Sequence, residues 1–342
     1  MDVKKMPKVD LHVHLDGGLQ LDTVIKLAEK EGIELPAKND TELKAWMQVD
    51  ENCTSLLEYL KRFDRVNPLL QSQEALELAA LHLIRDAAKE NVIYMEVRFA
   101  PTLHQKKGLK VKQVIEAVIS GLQAGAEKYG VAVGGLISLI RDQGLALNQT
   151  VVETALLFYG KGIVGFDLAG NEKDYPASIY KSLFLDLKEK GIPFTIHAGE
   201  ADGPESVRAA VALGASRIGH GIAAAEDQSL MNDLAKERII LELCPTSNLQ
   251  TKAVDDFSAY PLRLFLETGV LVTINTDNPS ISNTTISQEW EKIQAQFALS
   301  QAEIKTLVIN GIEGAFMKDE EKQRLITEIE RDFSLEQKTH GK

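Results

Sequence analysis

The segment Val9-Asp10-Leu11-His12-Val13-His14-Leu15 predicts a buried β-strand with two histidines near its end. Side chains two positions apart on a strand point to the same face, so His12 and His14 should lie side by side. The apolar residues on either side of them then face the opposite way, toward surrounding helices. This short segment therefore predicts the first strand of a sheet and two neighbouring polar groups at its carboxyl end.

Seven further apolar runs of strand character follow along the chain, and amphipathic helical stretches separate most of them. The eight predicted strands cover residues 9–15, 92–99, 133–140, 163–168, 193–197, 217–220, 239–243 and 271–275. A strand followed by a helix, repeated, predicts a parallel sheet with right-handed crossovers. Eight repeats favour an α/β fold of the (β/α)8 TIM-barrel type over an open doubly wound sheet, although the count alone leaves the open sheet as an alternative.

The interval between the first two predicted strands is longer than any other. Residues 16–91 form an insert with helical patterns at 21–31, 56–66 and 73–90. Helices inserted there would cover the mouth of the barrel, where they are expected to form a lid or a substrate wall. Residues 300–342 predict a C-terminal helical cap. The chain, 1–342, is thus interpreted as a single barrel domain with extra helices after the first strand.

The composition is that of a globular protein with an excess of acidic residues. Its 342 residues include 38 Lys and Arg against 50 Asp and Glu, a formal net charge of −12. Because nucleic-acid binding depends on a basic surface, this balance argues against a DNA or RNA partner and favours a small uncharged or cationic substrate. No apolar run approaches the ~20 residues that span a membrane. Two cysteines and no export signal predict a cytoplasmic protein. The sequence makes no prediction of oligomeric state.

Polar residues cluster at the carboxyl ends of the predicted strands, which is where barrel enzymes assemble their active sites. His12 and His14 end the first strand, His197 the fifth and His220 the sixth, and Asp277 follows the eighth. We predict that His12, His14, His197 and Asp277 bind one divalent metal ion. Nitrogen and oxygen ligands without a thiolate favour Zn²⁺, with other first-row metals as alternatives.

Weaker signals lie close to these ligands. Glu200 follows His197 by three residues and could reach a substrate there, although a surface carboxylate at a helix start is the alternative. Gly170 suits a turn with positive φ. Asn278 stands beside Asp277. Cys244 has no neighbouring base in the sequence and is interpreted as a packing residue rather than a nucleophile.

Taken together, seven stretches of the chain resemble the adenosine deaminase branch of the metal-dependent amidohydrolases, in that family's order. They are Pro7-Lys8-Val9-Asp10-Leu11-His12-Val13-His14-Leu15-Asp16-Gly17, Tyr94-Met95-Glu96-Val97-Arg98-Phe99-Ala100-Pro101, Asp167-Leu168-Ala169-Gly170, His197-Ala198-Gly199-Glu200, Gly219-His220-Gly221, Cys244-Pro245-Thr246-Ser247-Asn248 and Asn275-Thr276-Asp277.

The resemblance implies one zinc ion per chain on the four predicted ligands and the hydrolysis of adenosine to inosine and ammonia. It implies that Glu200 protonates the purine N1 and that His220 orients the attacking water, with Asp277 also catalytic. The implied substrate contacts are backbone atoms of Gly170 for the purine, Asp16 for the ribose 5′-hydroxyl, and His14.

Two further substrate contacts follow from the same resemblance. Leu60 and Phe63 match a family helix that walls the pocket. Asn278 stands where animal members carry a second Asp that is thought to donate a hydrogen bond to purine N7. An amide can donate as well, so the role is expected to survive.

Three other functions compete with this interpretation. An adenine deaminase or an N6-substituted AMP deaminase of the same superfamily would carry Glu in place of Asp16 and a different residue at Thr246. An amidohydrolase acting on esters or amides would leave Glu200 and Gly170 without specific roles. A metal-binding or nucleoside-binding protein without catalysis would not need the proton donor and the water-orienting histidine.

Overall fold

The computed structural model describes residues 2–37, 39–50 and 52–340, with side chains up to residue 333. Positions 1, 38, 51, 341 and 342, which fall within the predicted domain, insert and cap, lie outside the described residues. Eight strands are found, all within one or two residues of their predicted limits. They are β1 Lys8–His14, β2 Val92–Phe99, β3 Ala132–Ile140, β4 Ile163–Ala169, β5 Thr195–Ala198, β6 Arg217–His220, β7 Ile240–Leu243 and β8 Leu271–Ile274.

The strands form two parallel four-stranded sheets, ordered β1-β2-β3-β4 and β5-β6-β7-β8. Single bridges join the sheets at both seams, through Phe166 and Phe194 on one side and through Val13 and Asp277 on the other. At the second seam the His14 amide donates to the Asp277 carbonyl at 2.8 Å, and the Asp277 amide donates to the His12 carbonyl at 2.7 Å. The strands therefore run in chain order around a ring, and the predicted α/β class is confirmed.

Helices connect the strands along the chain. In the described part of the chain they are α1 Leu21–Glu31, α2 Asp40–Met47, α3 Leu56–Leu60, α4 Phe63–Val66, α5 Gln73–Lys89, α6 Val111–Tyr129, α7 Leu145–Ala155, α8 Lys181–Glu189, α9 Pro204–Leu213, α10 Gln228–Glu237, α11 Pro245–Gln250, α12 Leu262–Thr268, α13 Ile286–Phe297, α14 Gln301–Gly314 and α15 Asp319–His340. None of the helices described is long and apolar enough to cross a membrane.

The helix boundaries follow local sequence signals. The Ser72 hydroxyl accepts a hydrogen bond from the Ala75 amide and caps α5. Ser300 and Glu303 form a reciprocal capping box at the start of α14. Gly32, with φ +66°, ends α1 in the left-handed conformation that favours glycine. Side-chain acceptors at helix starts and glycine at helix ends explain why most predicted limits were close.

The insert departs from the prediction in two places. The helix α2 was not predicted, and the expected helix at 56–66 is divided into α3 and α4. Between them the amides of Arg62, Asp64 and Arg65 donate to carbonyls three residues earlier rather than four. The segment thus stays helical but tightens into a 3-10 turn, which rotates the face that Phe63 presents relative to α3.

The interior of the ring contains buried charges rather than apolar side chains alone. Arg217 on β6 donates to Glu96 at 2.5 Å and to Glu242 at 2.6 Å, and Arg98 donates to Glu242 at 2.8 Å. At the opposite end from the histidines, the Phe316 ring lies 3.7 Å from the Arg217 guanidinium, in the segment that follows α14. Phe316 thus covers Arg217 at the amino-terminal end of β6, opposite the end that carries His220.

Candidate active site

The four predicted metal ligands meet at the carboxyl ends of β1, β5 and β8. One donor atom from each of His12, His14, His197 and Asp277 lies within 4.8 Å of the other three. Nε2 of His14 lies 3.3 Å from Nε2 of His197 and 3.3 Å from Oδ1 of Asp277. Nε2 of His12 lies 3.3 Å from the same Asp277 oxygen. Three imidazole nitrogens and one carboxylate oxygen at these separations could bind one divalent cation together.

The hydrogen bonds behind the ligands support that interpretation. Nδ1 of His12 donates to Glu242 at 2.8 Å, and Nδ1 of His197 donates to Asp167 at 2.9 Å. Each bond fixes the tautomer so that Nε2 is free to bind a metal. Nε2 of His12 is buried and has no hydrogen-bond partner of its own. The donor set therefore fits a divalent ion bound by imidazole nitrogens and a carboxylate.

A second set of possible ligands fits less well. His12, His220 and Cys244 also place donor atoms within 4.8 Å of one another. Burial raises the pKa of the Cys244 thiol well above its usual value, and its sulfur hydrogen-bonds the Glu242 carbonyl at 3.5 Å. A metal binds the thiolate rather than the thiol, so this group is the weaker candidate. Cys244 lies in the packed interior, as its sequence context suggests.

Asp277 is ionised and firmly held. Burial alone would raise its pKa, but the neighbouring His12, His14 and His220 hold the pKa well below its usual range. Its second oxygen accepts a hydrogen bond from the Ser247 hydroxyl at 2.6 Å. Its backbone is left-handed, with φ +60°, and that of His220 has φ +62°. Strained backbone of this kind persists where the surrounding structure over-determines it, which is common at functional sites.

Glu200 and His220 form a second pair beside the ligand cluster. Oε2 of Glu200 lies 3.4 Å from Nε2 of His220, and both side chains are almost fully buried. Burial raises the pKa of Glu200 well above its usual value, and the charges of Asp277 and Glu172 raise it further. Burial lowers the pKa of His220. Burial thus favours the protonated form of the Glu200 carboxyl group and the neutral form of the His220 ring.

The tautomer of His220 is set from behind. The Asn248 amide nitrogen donates to Nδ1 of His220 at 3.0 Å, while the Asn248 oxygen accepts from the Tyr260 hydroxyl at 3.0 Å. Nδ1 is thus an acceptor, and Nε2 carries the hydrogen and faces Glu200. His220 therefore presents a hydrogen-bond donor toward Glu200, next to the ligand cluster.

A cavity of about 360 Å³ opens above these groups. It is lined by His14, His197, His220, Glu200 and Asp277, and by every other residue predicted from the resemblance to contact substrate: Asp16, Leu60, Phe63, Gly170 and Asn278. Gly170 has φ +101°, as its predicted turn requires. Leu60 belongs to α3 and Phe63 to α4, so the insert supplies one wall. The structure brings all the predicted site residues, except His12 behind the cluster, to one cavity.

A larger cavity, of about 530 Å³, lies elsewhere, between the insert helices and the segment 276–286. It is lined by Asp10 and Thr276 on the ring side and by Leu21, Leu83 and Lys89 on the insert side. None of the four predicted ligands, nor Glu200 or His220, lines it. The larger cavity is therefore not the better candidate for the active site. The polar groups with shifted pKa values, such as Glu200 and His220, line the smaller cavity, and this favours the smaller one.

Several residues that organise the site are absent from the sequence-based prediction. Asp167 and Glu242 accept from two ligand histidines, and Arg98 lies between them, 2.8 Å from Glu242 and 3.5 Å from Asp167. All three are fully buried on strands. Charged residues inside otherwise apolar strands must be paired, and that signal was available in β2, β4 and β7.

Comparisons with known proteins agree with this geometry. The sequence model of the family described as adenosine deaminase matches residues 7–332. An adenosine deaminase of Enterococcus faecalis is 41% identical over 331 residues, covering 97% of this chain and 98% of the relative. An adenine deaminase structure from Arthrobacter aurescens has TM-score 0.88 and 28% identity, covering 95% of this chain and 98% of that one. An N6-methyl-AMP deaminase structure from Arabidopsis thaliana has TM-score 0.84 and 26% identity, covering 96% and 97%.

Proposed function

The chain belongs to the adenosine deaminase family, and from that membership we propose that it hydrolyses adenosine, and 2′-deoxyadenosine, to inosine and ammonia. The observation that carries the proposal is the buried Glu200 carboxyl group 3.4 Å from the His220 ring, in the same cavity as His14, His197 and Asp277. Water adds to C6 of the purine and N1 receives a proton. The bond between C6 and the amino nitrogen then breaks, the proton of the new C6 hydroxyl group passes to the amino group, and ammonia leaves. The product keeps the oxygen of the water.

We propose that His12, His14, His197 and Asp277 hold one zinc ion per chain. The donor set of imidazoles and one carboxylate, without thiolate, is the support for zinc. When bound, such an ion supplies a hydroxide nucleophile at neutral pH by lowering the pKa of a water molecule. Asp167 and Glu242 orient two of the ligand rings.

Glu200 is assigned the proton transfer to N1. Attack at C6 places charge on the ring, and a proton on N1 neutralises it. Burial, Asp277 and Glu172 all raise the pKa of Glu200, and this favours the protonated form that can donate to N1. His220, with Nε2 directed into the cavity, orients the attacking water. Asp277 accepts from Ser247 and keeps its charge next to that water.

The remaining lining residues are assigned to the nucleoside. Backbone atoms of Gly170 and the Asn278 amide contact the purine, and Asp16 accepts the ribose 5′-hydroxyl, next to His14. Asn278 lines the cavity, and its Oδ1 is buried without a hydrogen-bond partner. Leu60 and Phe63 wall the purine and exclude water. A dry site strengthens each of these polar contacts.

We also infer the protein's organisation and place. The chain 1–342 is taken as one barrel domain, in which 16–91 supplies the substrate wall and 300–342 the cap. Cys53 and Cys244 are both free and buried, which suits a reducing compartment. A cytoplasmic enzyme of purine salvage, acting on a small nucleoside and not on nucleic acid, is consistent with the acidic composition.

The alternative functions are deamination of adenine and of N6-substituted AMP, which two of the structural neighbours carry in their names. The cavity argues against a nucleotide. Its described lining includes Asp16, Asp64 and Asp142 but no Lys or Arg, so a phosphate group would meet carboxylates without a compensating cation. The relative at 41% identity, matched over almost its whole length, likewise favours the nucleoside.

The experiment that tests the proposal is ultraviolet monitoring of adenosine conversion, with and without a chelator. We expect adenosine to be converted to inosine by the untreated protein only. Faster turnover of AMP than of adenosine in parallel assays would instead assign the nucleotide function. No conversion of adenosine, adenine or AMP by zinc-loaded protein would remove the deaminase proposal.

A further inference from the structure

Glu172 is a buried carboxylate that binds the loop carrying Glu200. It lies in the connection that follows β4 and is 1% exposed. Its two oxygens accept the successive backbone amides of Gly199, Glu200 and Ala201, at 2.5, 3.1 and 2.8 Å. The Ser206 hydroxyl also donates to it. Three consecutive amides directed at one carboxylate form a nest, which fixes the backbone of residues 199–201.

The loop is shaped to receive this carboxylate. Gly199 has φ +71°, and a Cβ there would lie 2.6 Å from Cγ2 of Val207, so only glycine suits the position. The positive end of α9, which begins at Pro204, lies close to the same carboxylate through Ser206. Arg141 at the end of β3 donates to the His197 carbonyl at 2.6 Å, and so holds the other end of the same segment.

We propose that Glu172 is a positioning residue for Glu200, tying the backbone of residues 199–201 to the loop that begins at Gly170. The inference rests on the proposed function, in which Glu200 protonates the purine that Gly170 contacts. Gly170 precedes Glu172 by two residues, so the purine contact and the proton donor are held by one short rigid unit. An error of about 1 Å between them would lower the rate by roughly a hundredfold.

The charge of Glu172 also affects the pKa of Glu200. The charged and titratable groups that face Glu200 are Asp277, Glu172 and His220. After burial and Asp277, the negative charge of Glu172 raises the pKa of Glu200. The reach of the Glu172 side chain and its charge can therefore be varied separately, because Gln keeps the length and Asp keeps the charge.

The test compares Glu172→Gln and Glu172→Asp with the unmodified zinc-loaded protein. Hydrogen–deuterium exchange should show faster exchange of the amides of residues 199–201 in both variants. We expect kcat for adenosine to fall by about 10- to 100-fold in both, normalised to bound zinc. The alkaline limb of the pH profile should move to lower pH in Glu172→Gln and stay in place in Glu172→Asp.

A matched control is Glu289→Gln. Glu289 is equally buried and accepts a hydrogen bond from the Thr246 amide at 2.9 Å, but it has no hydrogen bond to residues 199–201. Its replacement should leave the alkaline limb and the exchange at 199–201 unchanged. Unchanged exchange and kcat in the Glu172 variants would overturn the proposal.

The two variants and the two measurements allow failure of the positioning proposal to be told apart from failure of the proposed function. If Glu172→Gln does not fold, Glu172→Asp carries the test through amide exchange and kcat. If the unmodified protein does not deaminate adenosine, the proposed function fails, whereas the exchange measurement still reports whether Glu172 holds residues 199–201.

Discussion

Oδ1 of Asp167 lies 2.9 Å from Nδ1 of His197, and this bond determines which nitrogen of the ring faces the cavity. A carboxylate behind an imidazole fixes its tautomer and raises its basicity as a ligand. We expect Asp167→Asn to weaken zinc binding by about 10- to 100-fold. An amide can donate its NH2 group to Nδ1, and the ring hydrogen would then lie on Nε2, the nitrogen that should bind the metal. Competition with a chromophoric chelator measures the Kd.

Two variants serve as controls for that measurement. Glu242→Gln should weaken zinc binding as well, through His12. Asp227→Asn, at the cap of α10 and remote from the ligands, should leave the zinc Kd unchanged. Equal zinc affinities for Asp167→Asn and the unmodified protein would show that the ring needs no support from this carboxylate.

Glu200→Gln should lose turnover while keeping substrate binding. The amide retains the shape of the carboxyl group but has no proton to give to N1, so kcat should fall by about 10²- to 10⁴-fold. The Kd for inosine, measured by calorimetry, should change far less. A variant with near-normal kcat would mean that another group protonates the purine.

The pH dependence of kcat/KM should follow the same carboxyl group. Glu200 must be protonated to act, and its pKa is raised above its ordinary value by burial, Asp277 and Glu172. Activity is therefore retained above the pH at which an ordinary glutamate ionises, and it is lost as pH rises through the raised pKa. A profile that declined already near pH 4–5, about the pKa of a free glutamate, would contradict this assignment.

Asp16 should decide between adenosine, adenine and AMP. Its carboxyl group is buried, and burial raises its pKa to about 6, so an assay at about pH 8 keeps it ionised. A ribose hydroxyl can donate to it, adenine offers it nothing, and AMP brings a like charge. An unpaired buried group costs about 1–3 kcal/mol, so adenosine should exceed adenine by about tenfold or more in kcat/KM, with AMP the poorest.

Asp16→Asn provides the matching control, because it removes the charge and keeps a hydrogen-bonding group. The difference between adenosine and AMP should narrow in this variant. If the ratio of their kcat/KM values did not change, the discrimination would have to come from another part of the cavity.

Zinc should stabilise the folded protein as well as activate it. A ligand that binds only the native state adds about 2.7 kcal/mol when its free concentration is 100 times Kd. We expect Tm to fall on chelation and to recover on adding zinc. In His197→Ala, which lacks one of the four donors, added zinc should change Tm much less. A Tm that did not respond to zinc in the unmodified protein would argue against the four-residue site.

The strands and the ligand cluster could be predicted from the sequence because they depend on local pattern. His12 and His14 share a face as their spacing requires, and His197 and Asp277 are at strand ends. The interval at 61–62 could not be predicted, since a change from α to 3-10 hydrogen bonding leaves little trace in hydrophobic periodicity.

The residues that hydrogen-bond the site from behind could not be predicted from the sequence pattern, for a different reason. Glu172 contacts amides 27 to 29 residues away in sequence, and Glu242 lies 230 residues from His12. Such pairings depend on strand register and on loop conformation, which a single sequence does not specify. The sequence does show charged residues, such as Glu242, inside apolar strands. Their presence predicts that each has a partner of opposite charge or a hydrogen-bond partner, but it does not predict which residue that is.

The seam between β1 and β8 has a consequence for how the protein matures. His12 and His14 leave the ribosome early, whereas Asp277 lies about four-fifths of the way along the 342 residues. A nascent chain that has not yet reached Asp277 carries an incomplete ligand set, and the bridge between Val13 and Asp277 cannot form. A complete ligand set therefore requires that the chain be synthesised through Asp277, so that the last strand can join the first.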